Sequence, residues 1–143
     1  MKIAMAGDHA GYELKALLRT RLEAAGHEVH DFGPFGPESV DYPDFVHPLA
    51  KSVVAKEAEL GILICGSGNG VCMTANKYAD IRAALCWEPE LGALARQHNN
   101  ANVLCIPARF VSVEKAFAIA DSFLSAQFEG GRHQNRVDKI AIK

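Results

Sequence analysis

Residues 60–78 read LGILICGSGNGVCMTANKY. The first six positions lack the polar alternation of a strand with one wet face. A strand of this kind is buried on both sides, which places it at the centre of a parallel sheet covered by helices. It stops at Cys65. Gly66, Gly68 and Gly70 follow in alternation, and a helical pattern begins inside that loop. Strand, glycine loop and helix form the repeating unit of α/β proteins.

The flanking sequence keeps this alternation. KIAMAG (2–7) is the first strand. Residues 12–26 place Leu14, Leu17, Leu18, Leu22 and Ala25 at helical spacing before Gly26 stops the helix. HEVHDFG (27–33) is a short second strand, and the Gly- and Pro-rich stretch 33–39 is a loop. A helix is expected within 41–58, with Pro43 tolerated near its start and Pro48 marking a late start or a kink. After the third strand (60–65) come a short helix (69–79), a fourth strand (81–87) and a helix (88–99) with Pro89 in its first turn. A fifth strand (101–108), a helix capped by Ser112 (112–128) and a last short helix (132–141) complete the chain. Five strands alternating with helices predict a doubly wound, five-stranded parallel α/β sandwich, one domain over 1–143. Such sheets bind ligands beyond the carboxyl ends of their strands, near a topological switch point.

Composition narrows the function classes. The 143 residues are 49% hydrophobic and 22% charged, the balance of an ordinary globular domain. The formal net charge of -2 argues against a general nucleic-acid binder. Lys2 leads straight into a short strand-like run, so no signal peptide is expected. No apolar run approaches the ~20 residues that span a bilayer. Cys65, Cys72, Cys86 and Cys105 form no C-x-x-C pair. They read as reduced thiols of a cytoplasmic protein, neither a disulfide framework nor a zinc site.

Chemistry-bearing residues follow the strand ends. Asp8 and His9 follow the first strand, Cys65 and the glycine loop the third, and Arg109 the fifth. His98 and Asn99 lie in RQHNNAN, and all of these are expected on one rim. The loop opens a helix, so the N–H groups of Gly66, Ser67, Gly68, Asn69 and Gly70 can converge as an anion cradle. A turn that needs glycine only for geometry is the alternative. The loop is no dinucleotide fingerprint, because the spacing and the strand differ, and it lacks the G-K-[ST] of a nucleotide phosphate loop. A free cysteine is commonly a small buried hydrophobe, the reading for Cys72, Cys86 and Cys105. Cys65 differs by sitting beside the N–H cluster, which favours a thiolate able to act as base or nucleophile. Arg132 and Arg136 are four apart and share a helix face. With Arg109 they make a guanidinium set suited to phosphate, the alternative being a solvated basic face with Asp138. Metal ligation is not expected, since no histidine pair has i,i+4 spacing with a carboxylate nearby.

GDHAG (7–11), DYPDF (41–45), ICGSGNG (64–70), ANKYADIRAA (75–84), RQHNNANVL (96–104) and EGGRHQNRVDKI (129–140) occur in this order. Together they resemble the ribose-5-phosphate isomerase B family, which also includes the galactose-6-phosphate isomerase subunits. The resemblance implies a Rossmann-like fold and interconversion of ribose 5-phosphate and ribulose 5-phosphate, a step of pentose phosphate metabolism. It also implies a homodimer or tetramer with shared active sites, and no metal or organic cofactor. By the same resemblance Cys65 is the proton acceptor and His98 serves ring opening. Asp8, His9 and Tyr42 meet the sugar, and residues 66–70 bind the enediolate. Asn99, Arg109, Arg132 and Arg136 match the remaining binding positions, with the arginines on phosphate. Ser67 stands where many cysteine-type members have threonine, and it keeps the hydroxyl needed to move a proton between sugar oxygens. Cys65 and His98 in one chain suggest a self-sufficient site. Two alternatives remain: an isomerase of allose or galactose 6-phosphate, and a flavodoxin-like nucleotide-binding module.

Overall fold

A computed structural model describes residues 1–142. Its centre is β3 (Leu60–Cys65), buried at all six positions. β1 (Lys2–Gly7) and β5 (Val103–Pro107) flank it, with β2 (Glu28–Asp31) and β4 (Ala83–Leu85) at the edges. The five strands are all parallel, in the order β2-β1-β3-β5-β4. The helices are α1 (Tyr12–Ala24), α2 (Pro43–Val54), α3 (Asn69–Ala75), α4 (Pro89–Asn99), α5 (Val113–Ser125) and α6 (Arg132–Asp138).

Handedness decides which helix covers which face. A right-handed crossover to the left lies on one face of the sheet and a crossover to the right lies on the other. α1 and α4 carry the chain leftward, and with α5 they bury Leu60, Ile62 and Ile64 under Leu18, Leu22, Ile119 and Phe123. α2 and α3 carry it rightward and bury Leu63 and Cys65 under Val46, Leu49, Val71 and Ala75. The helices after β1 and β3 therefore leave on opposite faces, as do those after β3 and β5. A crevice opens on each side of the β3 carboxyl end, and Cys65 stands between the two.

The elements are mostly shorter than their sequence patterns. β4 keeps three residues of the expected seven and has one neighbour, β5. α1 turns Leu14, Leu18 and Leu22 inward, but Leu17 and Ala25 face out. Pro48 lies inside α2 with its ring exposed, so the helix loses one hydrogen bond and persists. Ser112 caps α5 as expected, its Oγ accepting from the Lys115 N–H at 3.1 Å. On the inner side of α1, Lys15 is buried, and its ammonium donates to Asp31 and to the Pro34 carbonyl. Among the described residues no helix is long and apolar enough to cross a membrane.

Candidate active site

Beyond the carboxyl ends of β1, β3 and β5 lies an open cleft of about 410 Å³, lined by Asp8, His9, Tyr42, Cys65, Gly66, Ser67, Gly70, Arg109 and Phe110. Its size falls within the roughly 300–1,000 Å³ of small-molecule sites. Cys65 is 5% exposed and borders this cleft. The thiol is therefore screened from bulk solvent but not sealed.

The loop after Cys65 is shaped by close approaches. Gly68 has a left-handed φ of 76°, and a Cβ there would come within 2.4 Å of Leu85. At Gly70 a Cβ would stand 2.4 Å from the Tyr42 ring, so only glycine lets the aromatic lie against the first turn of α3. Arg109 folds across Gly66, where a Cβ would meet its guanidinium at 3.1 Å, and the Arg109 N–H donates to the Gly66 carbonyl at 3.0 Å. Among the described residues the N–H groups of Gly66, Ser67, Gly68 and Gly70 donate to no protein acceptor, while the Asn69 N–H donates to Ser67 Oγ at 3.2 Å. Unpaired amide donors beside a thiol can stabilise negative charge on a bound oxygen.

Asp8 and His9 are held from opposite sides. Asp8 Oδ1 accepts from the N–H groups of Ala10 and Gly11 at 2.9 and 3.2 Å, which fixes the turn into α1. His9 Nδ1 accepts from the Val40 N–H at 3.2 Å. That bond leaves the proton of the neutral imidazole on Nε2, a donor for an anionic or hydroxyl ligand. The remaining thiols divide. Burial pushes Cys86 up to about 12 and raises Cys105 as well. Cys72 is half-buried instead of buried, and a hydrogen bond from Cys105 lowers its pKa.

The other expected site residues lie elsewhere, which corrects the single-rim expectation. α4 starts beyond the carboxyl end of β4 and runs back along the sheet. His98 and Asn99 thus reach the amino ends of the strands, where Asn102 accepts from Gly61. Cys65 pairs with Pro107 at the other end, so the two groups are separated by the length of a five-residue strand, about 17 Å. Arg132 and Arg136 go with His98, because α6 packs on α4 and both arginines are exposed there. They do not join Arg109. In one chain Cys65 and His98 are not a self-sufficient pair.

The His98 neighbourhood contains two residues the sequence reading did not single out. His133 stacks on His98 with ring centroids 4.2 Å apart and planes 11° apart. Glu129 Oε1 lies 3.7 Å from the Nε2 atoms of both rings. The i,i+4 spacing of Glu129 and His133 was the signal available in the sequence. The three offer metal-ligand atoms within 4.8 Å of one another. Imidazole lone pairs lie in the ring plane, however, and two nearly parallel planes this far apart do not share a nearby ion position.

Comparison with known proteins bears on this geometry. The family described as Ribose/Galactose Isomerase matches residues 3–140. The chain belongs to the ribose/galactose isomerase family. Within this family it is 47% identical over 139 residues to ribose-5-phosphate isomerase B of Escherichia coli, covering 97% of this chain and 93% of that protein. A crystal structure of the ribose 5-phosphate isomerase of Thermotoga maritima superposes with a TM-score of 0.96 at 50% identity, covering 98% of this chain and 97% of that one. A Mycoplasma genitalium ribose-5-phosphate isomerase B with bound ribulose-5-phosphate superposes with a TM-score of 0.93 at 48% identity, covering 97% and 93%. The Rossmann-like expectation and the family resemblance hold.

Proposed function

We propose that this chain interconverts ribose 5-phosphate and ribulose 5-phosphate through a cis-enediolate, within a homodimer whose sites are shared between copies. The observation that carries the reading is the Cys65 thiol bordering the cleft beside four amide donors that are unpaired among the described residues. The relatives named for this reaction, one of them holding ribulose-5-phosphate, support the choice of substrate.

The chemistry follows from what each group can do. Cys65 as thiolate takes the proton from C2 of the open-chain aldose and returns it to C1. The electrons left behind settle on the sugar oxygens, where the N–H groups of Gly66, Ser67, Gly68 and Gly70 hold the charge. One such donor is worth ~3 kcal/mol in comparable oxyanion sites. The Ser67 hydroxyl is exposed at the cleft and moves the hydroxyl proton from O2 to O1. Asp8, His9 and Tyr42 orient the sugar. The phosphate is gripped by Arg109 with Arg132 and Arg136, and Asn99 with His98 acts at the ring oxygen that must be protonated for opening.

The placement of His98 on the far rim motivates the dimer. A second copy can bring its His98, Asn99, Arg132 and Arg136 to the cleft of the first. Apolar surface lies beside the cleft: Phe110, which lines it, is 75% exposed, and Trp87, two residues past β4, is 52% exposed. Exposed apolar surface of this kind marks contact surfaces. The four free thiols support a reducing, cytoplasmic setting.

The test has two arms. Purified protein is assayed with ribose, allose and galactose phosphates, with and without a chelator. Turnover fastest on ribose 5-phosphate and insensitive to chelator is expected, and absence of turnover on all three sugars overturns the reading. The second arm reads ring opening alone, in Cys65→Ala protein, as exchange between the α and β anomers of ribose 5-phosphate followed by magnetisation-transfer NMR. Exchange above the uncatalysed rate is expected, and adding His98→Asn abolishes it.

A further inference from the structure

We propose that His133 is a positioning residue for ring opening, holding the His98 imidazole flat in one orientation while Glu129 meets the edges of both rings. The proposal deepens the reading above and rests on His98 as the ring-opening group.

A histidine at the exposed end of a helix has a broad, soft χ2 torsion. His98 is such a residue, with 39% of its side chain exposed. Its freedom is removed by a local structure built for that purpose. The Glu129 N–H donates to the Gln97 carbonyl at 3.0 Å, which ties the incoming loop to the last turn of α4. Gly130 and Gly131 then adopt φ of 67° and 55° with open space around them, so glycine serves the turn and not a close contact. The turn closes with the His133 N–H on the Gly130 carbonyl and delivers the ring onto His98 at 4.2 Å. His133 is only 13% exposed, far less than the ring it covers.

Charge supports the same role. Burial, then His98, Arg132 and Arg136, lower the pKa of His133 against the opposing pull of Glu129. These are the charged groups facing it from α4, the loop and its own helix. At neutral pH His133 is therefore an uncharged plate lying against the His98 ring. On acidification a proton on His133 sets a like charge flat against the ring that must be charged in turn, with Arg132 and Arg136 adding to it.

The experiment uses the Cys65→Ala protein and the anomer exchange of ribose 5-phosphate, so that ring opening is read without isomerisation. Adding His133→Asn, which removes the ring, is expected to slow exchange about tenfold with sugar-phosphate affinity within about twofold, the scale of a misplaced acid–base group. Adding His133→Phe, which keeps a flat ring, restores most of the rate at pH 8 and removes the fall in rate on the acid side. Exchange unchanged in His133→Asn overturns the proposal. So does a loss that appears only in affinity, or a His133→Phe profile identical to that of the parent. Failure of the underlying reading is distinct: it appears as no catalysed exchange in the Cys65→Ala parent, or as exchange that survives His98→Asn.

Discussion

At the scale of single residues, the site turns on a thiol and a glycine. Cys65→Ala leaves the cleft and its amide donors in place but removes the proposed base. Isomerisation is expected to fall by at least about 10³-fold while ribose 5-phosphate still binds, the size of loss typical for an acid–base group; calorimetric titration with the sugar phosphate checks the binding half. Gly70→Ala adds a methyl 2.4 Å from the Tyr42 ring. Overpacking of this sort costs roughly 1–3 kcal/mol, so a lower urea midpoint and weakened turnover are expected together. An unchanged midpoint with normal activity would show that Tyr42 moves aside freely. Cys65 and the glycines were legible because their place at the end of a doubly apolar strand has a physical meaning. The stacking of His133 on His98 was not, since it joins residues from two helices across a turn whose path no periodicity records.

At the scale of elements, local pattern and handedness did most of the work. β3 runs over the six residues of its apolar segment, and Ser112 caps α5 as its hydroxyl predicts. The edge strand β4 was overestimated because apolar residues at 81–87 serve packing as well as pairing: Ile81 and Cys86 are buried outside the ladder. The ion pair between α1 and β2 was invisible in sequence, since Lys15 occupies a position that reads as the polar edge of an amphipathic helix. Lys15→Ala would leave the nearly sealed Asp31 carboxylate with Arg19 at 3.7 Å as its remaining cation. Removing one partner of a buried pair costs roughly 3–5 kcal/mol. A drop of that order in unfolding free energy is expected by chemical denaturation. A loss below 1 kcal/mol, the worth of an exposed pair, would mean that water reaches the carboxylate.

At the scale of the whole molecule, the topology rule leads to the cleft bordered by Cys65 but not to His98, which the same rule had put on that rim. The rule concerns strand ends of one sheet, and His98 sits at the end of a helix that returns to the opposite edge. Nothing in a linear pattern says which rim a neighbouring copy will cover. The shared-site reading makes a sharp prediction for mixtures. Cys65→Ala and His98→Asn proteins are each expected to be inactive, but mixed and allowed to exchange subunits they should form pairs with one intact site. Activity should recover to roughly a quarter of the unmodified level, half the pairs being mixed and half their sites whole under two-fold symmetry. Mixtures as dead as their components would argue for sites completed within one chain.

The position of His98 at the far end of α4 has one more consequence. A lone subunit would hold a base with nothing to unlock the ring, and a ring-opening group facing empty water. Catalysis then follows mass action on the pairing of subunits. Below the dissociation constant of the pair, specific activity should decline in proportion to protein concentration and rebound on reconcentration, with each chain still perfectly folded.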